Sequence, residues 1–274
     1  MSKNKYTFIQ KICSDADIET YLPQLNINGT ISMKMKKLCQ ITVLSKDDID
    51  NRQRILDYIR SLFQPFYPDC LLIAFGSTIN GFGTKGGDMD MMFSPSSDYE
   101  HLDASEINDD GGTPIISDAR ENPSVMAQLK NMSKEKQLRF LLRVLRRNRN
   151  EIKGAVYIPA KCPIVKFIVS HNYDVWCDLS FQHGLAKYNT ELLRFFSVLD
   201  SRIKPLMITL RFWARHLKIV KTGAFSSYAF NLLVIFFLQN LEEPILPPVT
   251  DLMINAGVRS SVHGLKIGHD CNSS

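Results

Sequence analysis

The most informative segment of this chain is Phe75-Gly76-Ser77-Thr78-Ile79-Asn80-Gly81-Phe82-Gly83-Thr84-Lys85-Gly86-Gly87-Asp88-Met89-Asp90. It continues a short apolar run, Leu71–Phe75, that is typical of a buried strand. Its glycines allow a tight turn and a close approach of the backbone to a phosphate, and the Ser77 hydroxyl can donate to a phosphate oxygen. A second strand is predicted over Asp88–Phe93. Residues two apart on a strand share a face, so Asp88 and Asp90 are expected to reach one site.

Carboxylates within apolar strands predict a cation site, although an isolated Asp-x-Asp pair is typical of surface turns. Buried like charges are costly unless a cation compensates them, and Mg²⁺ prefers oxygen ligands completed by a substrate phosphate. Two-metal phosphoryl transfer would use a third carboxylate. The best candidate is Asp178, within the apolar run Asp174–Phe181. Asp174 has the same parity but adjoins a turn, so it is interpreted as solvated.

Capping residues and apolar periodicity predict the other elements. Ser45 followed by Asp47 and Asp48 is typical of a helix start, and that helix is expected to reach about Phe63. Residues 94–123 are rich in acids and glycine and predict a flexible insertion. Strands are predicted over Cys162–Ser170 and Asp174–Phe181. Helices are predicted over Lys134–Lys153, Thr190–Leu199, Ser201–Leu217 and Ser226–Asn240. This order indicates an α+β domain followed by a helical one.

The segment Lys134–Lys153 is strongly basic, with eight Lys or Arg residues against two Glu. One interpretation is a solvated helix face that covers the core, and the other is a surface that contacts an RNA backbone. The net charge of +5 permits a polyanionic partner without requiring one. No apolar run reaches the roughly 18–20 residues of a membrane span, so no membrane association is expected.

The combination of Gly-Ser, Asp-x-Asp and a later strand Asp resembles the DNA polymerase beta-like nucleotidyltransferase superfamily. Further stretches make the chain most similar to mitochondrial-type poly(A) polymerases and terminal uridylyltransferases. They are Phe66-Tyr67-Pro68-Asp69-Cys70, Cys177-Asp178-Leu179, Asn189-Thr190-Glu191-Leu192-Leu193, Asp200-Ser201-Arg202, Arg211-Phe212-Trp213-Ala214-Arg215, Ser226-Ser227-Tyr228, Val234-Ile235-Phe236-Phe237-Leu238-Gln239 and Pro247-Pro248. The resemblance covers roughly residues 41–250. It implies a palm with a mixed sheet and flanking helices, followed by a helical domain.

The resemblance also implies a role for each matching residue. Gly76 and Ser77 would hold a nucleoside triphosphate, ATP or UTP. Asp88, Asp90 and Asp178 would bind two ions of Mg²⁺ or Mn²⁺ and activate an RNA 3′-hydroxyl. The remaining nucleotide contacts are expected as follows: the ribose at Asn189, the phosphates at Arg211, Arg215 and Ser227, and base stacking at Tyr228. The alternative for Tyr228 is an ordinary core aromatic.

These features predict three segments: an accessory segment 1–40, a catalytic palm 41–188, and a helical domain 189–274 that ends before the family's fold is complete. The expected activity is template-independent addition of nucleotides, AMP from ATP first, to RNA 3′ ends. Three alternatives stay open: an inactive RNA-binding or homodimer-forming product of the same family, a terminal uridylyltransferase, and an enzyme that modifies a small molecule.

A mitochondrial location is implied by the resemblance alone. The N-terminus contains Asp15, Asp17 and Glu19, whereas transit peptides are poor in acids. Cytoplasmic and nuclear locations therefore stay open as alternatives.

Overall fold

The computed structural model describes residues 21, 23–95, 129, 131–170, 173–181, 184–220, 225–248 and 251–252. The chain divides into two compact units, Met1–Phe212 and Trp213–Ser274. The first unit holds the sheet and the predicted carboxylate site. Residues 96–123 of the predicted acidic insertion lie outside the described residues, as do residues 1–20 of the predicted accessory segment.

Among the described residues, two helices with defined bounds precede the sheet. Helix α1 spans Ile31–Thr42 and begins after Thr30, whose side chain accepts a hydrogen bond from the Met33 N–H. Helix α2 spans Lys46–Phe63. The Ser45 hydroxyl accepts from the Asp48 N–H, and the Asp48 carboxylate accepts from the Ser45 N–H, so two of the unpaired donors at the helix start are satisfied reciprocally. The predicted start and end of this helix are confirmed.

A five-stranded mixed sheet forms the centre of the first unit, in the order β1-β2-β5-β4-β3. Strand β2 runs parallel to β5, whereas the pairs β1–β2, β5–β4 and β4–β3 are antiparallel. The α+β fold class is confirmed. The strands are β1 (Leu71–Phe75), β2 (Met89–Ser94), β3 (Ile152–Ile158), β4 (Ile164–Ser170) and β5 (Asp174–Phe181).

One face of the three central strands is apolar, and the other carries the charged side chains among further apolar and polar ones. Their odd-numbered residues, such as Met91, Phe167 and Leu179, belong to one buried core cluster. Helix α2 and helix α3 (Lys134–Arg147) lie on that side and contact each other. Because side chains alternate with a period of two along a strand, Asp90, Asp178 and Lys166 project from the opposite face. The hydrophobic pattern therefore sets where the charged groups stand.

The prediction of one helix over Lys134–Lys153 is wrong beyond Arg147. Helix α3 ends there, with Asn148 as its C-cap, and the chain turns into the edge strand β3, which the sequence interpretation missed. The pairing of β3 with β4 shifts between Lys153 and Val156, where Gly154 has φ +62°. This bulge breaks the period-two pattern that would have indicated a strand.

In the described part of the chain, the helices with defined bounds that follow the sheet are α4 (Gly184–Leu199), α5 (Ile203–His216) and α6 (Ser227–Gln239). Helix α4 begins six residues before the predicted Thr190, whereas α6 keeps the predicted Ser226 as its N-cap. The unit division falls within α5, after Phe212. In the described ranges no helix combines the length and apolarity that crossing a bilayer requires.

Candidate active site

The turn after β1 brings a glycine against the second carboxylate of the Asp-x-Asp pair. Phe75 pairs with Asp90 across β1 and β2, and Gly76 follows with φ +64°. A Cβ atom at Gly76 would lie 2.6 Å from the Asp90 Oδ2 atom. At Gly83, a Cβ atom would collide with the Ser77 carbonyl oxygen. Glycine is therefore required in this turn for close approach as well as for backbone conformation.

The predicted third carboxylate lies beside the first two. Strands β2 and β5 pair in parallel with Asp90 opposite Asp178. The strand was predicted to begin at Asp88, whereas β2 begins at Met89, so Asp88 immediately precedes the strand. The Lys166 Nζ atom donates to Asp88 Oδ2 at 2.6 Å and to Asp178 Oδ1 at 2.9 Å, so these two oxygens cannot be farther apart than the sum of those distances. The structure thus brings together the three carboxylates that the sequence singled out.

Burial and mutual repulsion both disfavour negative charge at this site. Burial, together with the negative charges of Asp178 and Asp88, raises the pKa of Asp90 to about 7, against the opposing effect of Lys166 and Arg52. Burial also raises the pKa of Asp178, although the Lys166 ammonium opposes that shift. Burial by itself would lower the pKa of Lys166. The charges and hydrogen bonds of Asp178 and Asp88 outweigh that effect and raise the pKa of Lys166 well above its usual range. The cluster formed by Asp88, Asp90, Asp178 and Lys166 therefore has more negative than positive charge.

An all-oxygen donor set with excess negative charge fits hard cations such as Mg²⁺ and Mn²⁺. Within the described ranges no three Asp, Glu, His or Cys side chains already stand together in ligand geometry, and Lys166 holds one oxygen each of Asp88 and Asp178. Metal binding would require those oxygens to be shared with or released from Lys166.

A buried arginine that the sequence interpretation missed joins the turn to the start of β2. The Arg52 Nη1 atom donates to the Thr78 hydroxyl at 2.7 Å and to the Asp88 carbonyl at 3.2 Å, and its Nη2 atom donates to the Gly87 carbonyl. Arg52 is only 3% exposed. Its spacing to the buried Ile55 and Ile59 was the available signal, because positions i, i+3 and i+7 share a helix face.

We expect Arg52→Met to lower the free energy of unfolding by about 3 kcal/mol, because it leaves buried acceptors without donors. Chemical denaturation monitored by circular dichroism measures this change. The matched control is Arg54→Met, an exposed arginine of the same helix, with an expected change within about 0.5 kcal/mol. Equal stabilities of the two variants would contradict the anchoring role of Arg52.

Helix α4 contacts the turn through Thr190, another residue to which no role was assigned from sequence. The Gly76 N–H donates to Thr190 Oγ1 at 2.9 Å, and that hydroxyl donates to the Ala186 carbonyl at 2.7 Å. The Gly76 N–H is thus hydrogen-bonded to helix α4. Asn189, the predicted ribose contact, is the half-buried neighbour of Thr190 on α4.

Arg211 lies in the same unit as the turn and is buried. Its Nη1 atom donates to the Phe82 carbonyl at 2.6 Å, and Phe82 is itself fully buried. This geometry anchors the segment between Ser77 and Asp88 to α5. The predicted contact of Arg211 with a phosphate stays a prediction.

The other predicted nucleotide contacts, Arg215, Ser227 and Tyr228, belong to the second unit. Arg215 is exposed in the last turn of α5. Ser227 and Tyr228 are half-buried in the first turn of α6, and burial raises the pKa of the Tyr228 hydroxyl. Their roles stay predictions.

Residues 31–198 match the family model described as "Poly(A) RNA polymerase, mitochondrial-like, central palm domain". The chain belongs to this family. The matched range of this poly(A) RNA polymerase palm contains every strand of the sheet and all three carboxylates. The predicted boundaries at 40/41 and 188/189 stay a prediction.

Curated relatives share this palm across much of the chain. The chain is 30% identical over 244 residues to the speckle targeted PIP5K1A-regulated poly(A) polymerase of Danio rerio, covering 84% of this chain and 30% of that protein. It is 29% identical over 233 residues to the mitochondrial poly(A) RNA polymerase of Homo sapiens, covering 81% of this chain and 38% of that protein. The chain therefore spans about a third of the length of these relatives.

Solved structures of the family have the same fold. The crystal structure of mtPAP in complex with UTP superposes with a TM-score of 0.70 at 25% identity, covering 88% of this chain and 49% of that one. The complex of mtPAP with ATPgammaS gives a TM-score of 0.68 at 25% identity, covering 88% and 49%. The palm of this chain is thus similar to one solved with nucleoside triphosphates.

Proposed function

We propose that this chain is the catalytic part of an RNA 3′-terminal nucleotidyltransferase that adds nucleotides, AMP from ATP first, without a template. One observation carries the proposal: the parallel pairing of β2 and β5 places Asp178 beside Asp90, next to the Gly76 turn and Asp88. Family membership and the names of the relatives support it.

The reaction forms a bond between the RNA 3′-oxygen and the α-phosphorus and breaks the bond to the leaving pyrophosphate. Two divalent cations, Mg²⁺ or Mn²⁺, held by Asp88, Asp90 and Asp178, would acidify the 3′-hydroxyl and neutralise charge on the pyrophosphate. Asp178 would accept the hydroxyl proton, because it stands on the strand next to the Asp-x-Asp pair. The chain's remaining contribution is to position the reactants.

The resemblance assigns nucleotide contacts to several further residues. Ser77 would donate to the triphosphate from the turn, and Gly76 would leave room for that contact because it has no side chain. Asn189 would contact the ribose. Arg211, Arg215 and Ser227 would contact the phosphates. Tyr228 would stack on the base.

RNA is negatively charged and this site is acidic, so RNA binding would depend on basic surfaces elsewhere on the protein. In α3, Arg139 pairs with Glu135 and stacks on the Tyr157 ring at 4.1 Å, and Arg146 donates to the Ala155 carbonyl. These contacts support the interpretation of α3 as a solvated face that covers the core. In the alternative interpretation, α3 contacts the RNA backbone. RNA affinity would then fall as the salt concentration rises.

We expect the purified chain to extend a 5′-labelled single-stranded RNA when Mg²⁺ or Mn²⁺ and ATP are supplied. The four nucleoside triphosphates are tested separately, because mtPAP has been solved with UTP, GTP and CTP as well as ATPgammaS. Product length on a denaturing gel is the measurement, and a reaction with excess EDTA is the control.

Extension with UTP alone would replace the poly(A) assignment by terminal uridylyltransfer. Label transfer to a small molecule instead of RNA would contradict the RNA assignment. RNA binding or homodimer formation without incorporation would support the alternative of an inactive RNA-binding or homodimer-forming product.

A mitochondrial location is part of this proposal and rests on family resemblance alone. The named relatives are a mitochondrial and a speckle targeted enzyme, so similarity does not select one compartment. Imaging of the tagged protein with mitochondrial and nuclear markers distinguishes them, and purely nuclear signal would contradict the proposal.

A further inference from the structure

Lys166 is a buried lysine at the centre of the carboxylate cluster. It lies on β4 opposite Asp178 of β5, and its side chain is only 8% exposed. Its Nζ atom contacts Asp88 Oδ2 and Asp178 Oδ1, at 2.6 and 2.9 Å. Lysine is almost never buried to this extent unless it is paired. Because directly paired residues share a face of the sheet, Lys166 and Asp178 both project from the face opposite the core.

The charges of this cluster balance only in part. Three carboxylates converge here, and repulsion between them at short range would otherwise separate them or protonate one. The other nearby cation, Arg52, makes its described hydrogen bonds to a hydroxyl and two backbone carbonyls. Lys166 is therefore the cation whose described hydrogen bonds go directly to the carboxylates.

The two oxygens held by Lys166 are also oxygens that a divalent cation would need. An ammonium carries one positive charge and donates hydrogen bonds, so it can hold the carboxylates together but cannot act as a Lewis acid. A lysine in this position both holds the carboxylates close together and competes with the ion that they would bind.

We propose that Lys166 is a positioning residue that serves as the built-in counter-ion of Asp88 and Asp178 and competes with divalent cations for their oxygens. This inference rests on the proposed function in one respect, that Asp88 and Asp178 bind the metal ions. It assigns opposite effects to one side chain: Lys166 stabilises the metal-free protein and weakens its metal affinity. If Lys166 formed only a structural ion pair, its removal would not strengthen metal binding.

The test compares Lys166→Met with the wild-type protein and with Lys153→Met, an exposed lysine on the neighbouring strand β3. Melting temperatures are measured in EDTA, and Mn²⁺ dissociation constants are measured by electron paramagnetic resonance. Lys166→Met is expected to melt several degrees lower in EDTA. It is expected to bind Mn²⁺ on the order of tenfold more tightly, because one competing positive charge is gone. Lys153→Met should match the wild type in both measurements.

Two further variants keep the test decisive. Lys166→Arg keeps the charge and should leave the Mn²⁺ dissociation constant within about threefold of the wild type. Lys166→Gln removes the charge but keeps hydrogen-bond donors, and should bind Mn²⁺ more tightly. If Lys166→Met unfolds in EDTA, Mn²⁺ is expected to restore its folded circular dichroism spectrum, and failure to do so would overturn the inference.

Failure of this inference and failure of the proposed function give different results. Wild-type Mn²⁺ binding together with equal or weaker binding by Lys166→Met and Lys166→Gln would overturn the counter-ion role alone. An absence of Mn²⁺ binding and of RNA extension by the wild-type protein would overturn both.

Discussion

Asp178→Asn is expected to lower the rate of RNA extension by on the order of 10³-fold, because it removes both a metal ligand and the proton acceptor at the reacting hydroxyl. The substitution keeps the size of the side chain, and the parallel pairing of Asp178 with Asp90 does not depend on its charge. Single-turnover extension of a labelled RNA with saturating ATP and Mg²⁺ measures the chemical step.

Asp174→Asn is the matched control for this experiment. Asp174 lies on the same strand with the same parity, is exposed, and accepts a hydrogen bond from the Ser170 hydroxyl at 2.6 Å. Its variant should extend RNA within about twofold of the wild type, because a surface substitution of this kind changes stability by no more than about 0.5 kcal/mol. Asp178→Asn with activity near that of the control would remove Asp178 from the chemistry.

Gly76→Ala is expected to lower the extension rate by on the order of 10²-fold, because misplacing a catalytic group by about 1 Å can have that effect. The new Cβ atom would lie 2.6 Å from Asp90 Oδ2, so the carboxylate must move. Extension assays over a range of Mg²⁺ concentrations measure the result, since displaced ligands should also raise the Mg²⁺ requirement.

Gly154→Ala separates this steric effect from backbone strain. Gly154 has φ +62°, nearly the value of Gly76, but a Cβ atom there would meet nothing within 4 Å. Both variants should lose about 1–2 kcal/mol of stability from the left-handed conformation. Only Gly76→Ala should lose most of its activity, and a comparable loss in both would indicate that strain alone is responsible.

Much of this site was predictable because strand periodicity is a local property. The apolar run Leu71–Phe75, the cap at Ser45 and the carboxylates at i and i+2 each follow from the side chains of a few consecutive residues. The choice of Asp178 over Asp174 used the same reasoning, since a charge within an apolar run needs a buried partner. The strand register is in agreement with that choice.

The residues that were missed act over longer distances in sequence. Lys166 has the same signal as Asp178, a charge within an apolar strand, but its partners lie 78 and 12 residues away. Thr190 contacts Gly76 across 114 residues. The first two residues of β3, Ile152 and Lys153, were assigned to a helix and the rest of the strand was not predicted, because a bulge at Gly154 interrupts its alternation.

By itself, the sequence determined which residues are apolar, which turns need glycine, and which strand positions carry charge, because these depend on neighbours along the chain. Only the tertiary structure decided the order of the strands and therefore which charges meet. The parallel pairing of β2 with β5 sets Asp178 beside Asp90, and the antiparallel neighbour β4 adds Lys166. Pairing of this kind is decided by the packing of distant apolar faces, which no local pattern specifies.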